Sequence, residues 1–200
     1  MRRLVFALVT ASLATPVPAT AAAGRMTGPR ETLIARDRQI REILGDRDRT
    51  LSAGEAFRLR ALVNGIFDYE THARESFGKH WEEMNERDRA EGVHLVTTLL
   101  ERSSMEKVHE YRETAIEYVS ERFDTSSPEV ATVVTRVTRN REAWEVGYRM
   151  RLAGGRWRIV DVLVEGAGTI DNNRTTFYKQ IRALGIGGLL AKLRKKAEQK

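Results

Sequence analysis

The chain has 200 residues, 34 Lys and Arg against 28 Asp and Glu for a formal net charge of +6, and no cysteine. The missing cysteines exclude a disulfide framework, a thiol nucleophile and a lipoprotein anchor, and the length allows about one domain that must rely on its own core. Charged residues make up 31% of the chain, an ordinary solvated surface, with the basic excess gathered in the closing LLAKLRKKAEQK.

The first residues, MRRLVFALVTASLA, place Arg2 and Arg3 before a short apolar run, and TPVPATAAA then supplies small residues at A-x-A spacing. This is the pattern of a secretory signal peptide. We assign residues 1–23 to it and residues 24–200 to one exported domain. Losing Arg2 and Arg3 takes the charge from +6 to +4. A basic tail outside the cytoplasm points to anionic lipid or an acidic partner rather than nucleic acid.

Four helices are predicted next. Leu33, Ile34, Ile40, Ile43 and Leu44 recur at helical spacing ahead of Gly45. Ser52-Ala-Gly-Glu55 is a capping box opening a helix that carries Phe57, Leu62, Val63, Ile66 and Phe67. Asp68 caps a short helix ending at Gly78, and Asn85 a long one carrying Val93, Val96, Leu99 and Leu100.

From Ala115 the period becomes two. AIEYVSERF, VATVVTRVTR, EAWEVGYRMRL and RWRIVDVLVE are separated by DTSSPE, Asn140-Arg141 and Gly154-Gly155, which reads as an antiparallel meander. With a two-residue turn at Gly154-Gly155, Leu152 faces Trp157, Met150 faces Ile159, Tyr148 faces Asp161 and Val146 faces Leu163. The same treatment of Asn140-Arg141 pairs Val137 with Trp144 and Val133 with Tyr148. The fold expected is α+β: helices packed on a twisted antiparallel sheet of about four strands, with one wide apolar wall whose only charge is Asp161.

Such a wall is either core or the lining of a cavity. Metal and nucleophile patterns are missing: the four histidines form no HExxH, only Asp68 and His72 have a ligand-like spacing, and there is no G-x-S-x-G, S-x-x-K or P-loop. Gly166-Ala-Gly168 lacks the third glycine of a dinucleotide fingerprint. Asp161 beside Tyr148 is the one pairing with acid and base potential, for an isomerase or hydrolase in a cone-shaped cavity. Its alternative is a satisfied structural carboxylate. A third possibility is a pure interaction module with a fully packed wall.

Two segments, LRALVNGIFDYETHARESFGKHWEEMNERDRAEGVHLVTTLLER and GRWRIVDVLVEGAGTIDNNRTTFYKQIRALGIGGLLAKLRKK, resemble the MlaC family, also described as toluene-tolerance or ABC-transporter auxiliary proteins. The most specific pieces are Phe67-Asp68 with Gly78 and Trp81, Leu99-Leu100, Gly155-Arg156-Trp157, Asp161-Val162, Glu165-Gly166, Asn172, Arg174, Phe177 and the Gly185 to Leu193 tail. The resemblance implies a periplasmic phospholipid shuttle that maintains outer-membrane lipid asymmetry and is not an enzyme. It implies no cofactor beyond phospholipid as cargo. The partners it implies are an outer-membrane lipoprotein complex and an inner-membrane ABC transporter with its MCE-domain component, with no nucleic acid. The chain is expected to act as a monomer.

On that reading the candidate tail contacts from the sheet are Val133, Val137, Trp144, Val146, Tyr148, Met150, Ile159 and Leu163. Phe67, Val96, Leu99 and Leu100 are the candidates from the helices. Where the family favours aromatic residues in its long helix this chain has Gly92, Val96 and Ser104, and Asn173 stands where a tyrosine is common. Gly92 and Val96 share a helix face, so an enlarged cavity is expected if that face lines it. Lys192, Arg194, Lys195 and Lys196 are candidates for orienting the protein on anionic partners.

Overall fold

The computed structural model describes residues 27–46 and 50–199. The proposed signal peptide, residues 1–23, lies outside the described residues. Among the described residues five α-helices pack with an antiparallel sheet: α1 (Pro29–Leu44), α2 (Ala53–Asn64), α3 (Tyr69–Phe77), α4 (Glu86–Glu106) and α5 (Thr169–Glu198). The strands β1 (Ala115–Phe123), β2 (Val130–Arg139), β3 (Glu142–Ala153), β4 (Arg156–Val164) and β5 (Ala167–Gly168) pair in sequence order. The sheet thus has five strands rather than about four, because the chain leaving β4 turns at Glu165-Gly166 and adds a two-residue strand to its free edge.

The helix starts follow local chemistry. Ser52 and Glu55 form a reciprocal capping box on α2, the Asp68 side chain accepts from Thr71 N at 3.0 Å, and the Asn85 side chain accepts from Asp88 N at 2.9 Å. α5 is bent at Gly185, whose φ of 70° and ψ of 175° only glycine adopts readily. The bend lays residues 186–198 along α4, where Arg194 pairs with Glu91 and Arg102 donates to the carbonyl oxygen of Lys196 at 3.0 Å.

The β2–β3 and β3–β4 hairpins close with two-residue turns of positive φ, at Asn140-Arg141 and Gly154-Gly155. The register between β2 and β3 is the expected one, with Val137 opposite Trp144 and Val133 opposite Tyr148. Between β3 and β4 it holds only near the turn, for Leu152 with Trp157 and Met150 with Ile159. Val160 is then an extra residue, and beyond it Arg149 faces Asp161, Tyr148 faces Val162, Gly147 faces Leu163 and Val146 faces Val164. The expected pairings of Tyr148 with Asp161 and of Val146 with Leu163 are therefore corrected. A β-bulge shifts the parity, so that Asp161 and Leu163 share the side of Arg149 and Gly147 rather than that of Tyr148.

The bulge is held from outside the sheet. Segment 66–68 adds to the edge of β4, with Ile159 N donating to Ile66 O and Asp68 N to Ile159 O, both at 2.8 Å. The Val160 carbonyl turns to α3 and accepts from Nδ1 of His72 at 2.8 Å. Arg149 and Arg151 of β3 reach the same helix, Arg149 binding Glu75 at 2.7 Å and Arg151 approaching Thr71 Oγ1 at 3.1 Å.

The core divides into three clusters. Leu33, Ile66, Ala131, Val133, Met150, Trp157 and Ile159 pack between α1 and the sheet. Ile40, Leu44, Leu59 and Val108 join α1 to α2 and to the 3₁₀ turn at Val108–Glu113. The largest cluster joins α3, α4 and α5 around Phe77, Leu95, Val96, Phe177 and Leu189. Gly92 belongs to this last region. A Cβ there would lie 2.9 Å from the Phe77 ring and 3.3 Å from the Met84 methyl, so Phe77 occupies the space that the missing side chain leaves. The cavity enlargement expected at Gly92 does not occur. Gly92→Phe is expected to overpack this cluster and lower stability by about 1–3 kcal/mol or more, read as a lower urea midpoint at unchanged m.

Candidate functional site

An apolar cavity of about 140 Å³ lies between α1, segment 63–67 and the inner face of the sheet. Three layers build it. α1 presents Leu33, Arg36 and Ile40 at helical spacing. Val63, Ile66 and Phe67 come from the end of α2 and the segment bound to the β4 edge. Ile116, Tyr118, Thr135, Tyr148 and Ile159 come from alternate positions of four strands, joined by Tyr111 from the 3₁₀ turn.

Two hydroxyls of this wall are held by the fold. Tyr111 donates to Asp37 Oδ1 at 2.5 Å, and Thr135 donates to the carbonyl oxygen of Val146 at 3.1 Å. Burial raises the pKa of Tyr148, Tyr118 and Tyr111 above the usual phenol value, with Asp37 adding to the rise at each. All three phenols stay neutral. The one charged side chain in the lining is Arg36, whose pKa burial lowers.

The sheet candidates sort by depth. Tyr148 and Ile159 line the cavity, while Val133 and Met150 are fully buried in the packing beneath it. Val137 and Val146 are buried on the same face, but neither borders the cavity, and Trp144 is half-buried opposite Val137. Leu163 lies on the opposite face against Gly147, so it is removed from the inner wall.

The helix candidates divide as well. Phe67 lines the cavity and, stacked on Tyr69 with ring centroids 5.3 Å apart, also borders a recess of about 220 Å³ with His72, Leu100 and Val162. Leu100 in turn joins Val96 and Leu99 in an open groove of about 390 Å³ between α4 and α5, rimmed by Lys192 and Lys196. Val96, Leu99 and Leu100 therefore belong to a second apolar surface and not to the sheet cavity. Of the basic tail, Arg194 is taken by Glu91 and Lys192 by Gln180.

Of the lining residues, sequence reasoning named Phe67, Tyr148 and Ile159 as site residues and missed Leu33, Arg36, Ile40, Val63, Ile66, Tyr111, Ile116, Tyr118 and Thr135. The alternation of Ile116 and Tyr118 in β1 is the signal that was available for two of them, because both fall on one face. Tyr111 follows a stretch without clear periodicity, and Thr135 looks like an ordinary strand residue.

A family model described as MlaC protein matches residues 38–195. The chain belongs to the MlaC family. Among solved structures, it is similar to that of a phospholipid-binding protein from Ralstonia solanacearum in complex with a phospholipid. The two share 17% identity at a TM-score of 0.67, covering 84% of this chain and 93% of the other. That degree of likeness establishes the fold. No curated protein matches the sequence.

In this MlaC chain the paired acid and phenol of the catalytic alternative are not assembled. Asp161 is buried and faces Arg149 across the strands, and its Oδ1 accepts from Val162 N at 2.9 Å and Ile170 N at 3.1 Å. It fastens the start of α5 to β4. Gly168 is the close approach this needs, since a Cβ there would come within 2.7 Å of Asp161 Oδ2. Asp68 and His72 do not converge either: Asp68 caps α3, and His72 spans Val160 O and Asn173 Nδ2, the latter 3.3 Å away. With Nδ1 donating to the carbonyl, Nε2 is the acceptor for Asn173.

Two outcomes follow for this corner. Asp161→Ala should take this acceptor from the buried N–H of Ile170 and the half-buried N–H of Val162 and cost about 1–3 kcal/mol, whereas Asp161→Asn, which keeps an acceptor oxygen, should cost less by thermal melt. Burial lowers the pKa of His72 below the ordinary 6.5, outweighing the carbonyl bond and the nearby Asp161 and Glu75. The unfolded chain then takes up this proton at higher pH than the folded one. Stability is full above pH 6.5 and falls as pH drops from there toward the folded pKa, by at most about 1.4 kcal/mol per pH unit. Urea midpoints between neutral and acidic pH should show this slope, and His72→Gln should remove its contribution.

Proposed function

We propose that this protein binds phospholipid and carries it across the periplasm as a monomeric domain, after a signal peptide at residues 1–23 has been removed. On this reading it passes lipid between an outer-membrane lipoprotein complex and an inner-membrane ABC transporter with an MCE-domain component, and so maintains outer-membrane lipid asymmetry. The observation that carries the proposal is the cavity between α1 and the sheet: aliphatic and aromatic walls, neutral phenols and a single cation among the lining residues. A wall for acyl chains needs those properties and needs no nucleophile. The phospholipid bound by the similarly folded Ralstonia solanacearum protein supports the same assignment.

The cavity's size adds a requirement. About 140 Å³ is below the roughly 300–1,000 Å³ of a pocket for a small ligand, so acyl chains must displace wall side chains or part α1 from the sheet. α1 is suited to yielding, since Leu33 is its only buried residue in the cluster shared with the sheet. Phe67 is the partition to the recess under α4, and moving its ring would add that space to the cavity.

The energetics suit a carrier. Roughly thirty methylenes moved from water at ~0.8 kcal/mol each would exceed any realisable affinity, so release into solvent is closed. Lipid drawn from a bilayer brings methylenes that are already dry, and most of that term cancels. Hand-off between a membrane complex and the cavity is then near neutral in free energy.

The testing experiment is native mass spectrometry with lipid extraction on protein purified from the periplasm without detergent. Stoichiometric phospholipid is expected, and Val63→Trp, which fills the cavity from its half-buried flank, should lower it several-fold. Val134→Trp, on the opposite face of β2, should not. A protein that carries no lipid and takes none from vesicles would reject the proposal.

A further inference from the structure

Beside the cavity is a polar recess of about 320 Å³, open to solvent, between α1, the turn after α2 and the β3–β4 hairpin. Arg36, Arg156 and Arg158 border it, with Thr32 and Gln39 between them. Among the described residues no Asp or Glu lines it, although the chain as a whole carries 28 acidic residues against 34 basic. Arg36 and Ile66 line both this recess and the apolar cavity, so the two spaces meet at these side chains.

Other half-buried guanidinium groups in the fold have partners. Arg149 binds Glu75, Arg41 binds Asp37, and Arg174 donates to the carbonyl oxygen of Glu75. Arg36 and Arg158 are half-buried too, and their guanidinium groups, with that of the exposed Arg156, make no hydrogen bond or ion pair to any described residue. A guanidinium is always charged and carries five donors in a fork that suits two anionic oxygens. Removing it partly from water without a carboxylate is a standing cost that an anion would relieve.

The position restricts which anion. A free anion would need only the recess, yet Arg36 is placed where the recess opens on hydrocarbon-like walls. A ligand that satisfies both spaces at once carries its negative oxygens within a few bonds of an apolar chain. We propose that this recess seats the phosphodiester of a bound lipid headgroup, with Arg36 at its base and Arg156 and Arg158 at its rim. The proposal rests on the phospholipid reading above and adds where the headgroup lies and why the cargo is anionic at that point.

The test compares two lipids with the same acyl chains, dioleoyl phosphatidylglycerol and dioleoylglycerol, offered together in equal amounts in detergent micelles to the purified protein. Native mass spectrometry reads the ratio bound. The wild-type ratio is expected to favour the phospholipid by about tenfold or more, the value of one charge-assisted contact. Arg36→Gln should bring the ratio toward one, and the double variant Arg156→Gln/Arg158→Gln should lower it less.

Removing an unpaired half-buried cation should not lower the urea midpoint. If Arg36→Gln nevertheless fails to fold, the double variant at the surface of the hairpin decides. A wild-type ratio near one that no variant moves would overturn the headgroup site and leave lipid carriage standing. Uptake of neither lipid would defeat both readings. Inorganic phosphate that raises the melting temperature through Arg36 without displacing lipid would identify a separate phosphate site and overturn the proposal.

Discussion

The geometry of the protein depends on one hydrogen bond across the edge of the sheet, from His72 Nδ1 to the carbonyl oxygen of Val160. Val160 is the residue too many in β4, and a bulge leaves backbone groups off the ladder that must be satisfied elsewhere. His72 supplies that partner from α3 and so ties the helical half of the chain to the strand half. Because a bulge reverses side-chain parity, the same feature decides which residues of β4 meet the cavity. Ile159 stays on the inner face, while Asp161 turns away to hold the first turn of α5. A carboxylate that would have stood in an apolar wall is thereby spent on backbone N–H groups.

That displacement lets the inner wall be hydrocarbon-like. The sheet keeps phenols there, neutral because burial disfavours their ionised form, and Arg36 stands where the wall gives way to a solvent-open recess. Charge is thus kept to the side of the cavity that meets the recess, and the buried packing around Val133 and Met150 is wholly apolar.

Much of this was legible in the residues themselves. The capping box at Ser52, the caps at Asp68 and Asn85, and both two-residue turns are local signals, and each appears in the fold where it is written. Tyr148 and Ile159 could be placed in the wall because strand alternation and turn length fix register near a hairpin. The register departs from expectation immediately after Ile159, at Val160, because the cause of the bulge lies in α3, 88 residues away in sequence. Gly92 failed for a related reason: its spacing with Val96 fixes a helix face but not what that face meets, and it meets Phe77. Long-range partners decide such positions, and periodicity contains no information about them.

The division of the core into three clusters has a dynamic consequence. α1 and α2 close mainly on each other and on the 3₁₀ turn at Val108–Glu113, while α3, α4 and the two arms of α5 form a separate, larger body. Opening the first unit breaks few buried contacts with the second, so the free energy of local opening differs between them. Backbone amides of α1 should exchange with solvent by sub-global excursions, and those around Phe77 only when the whole chain unfolds. On the proposed reading, the wall that yields to a lipid includes α1, which shares no buried residue with that larger body.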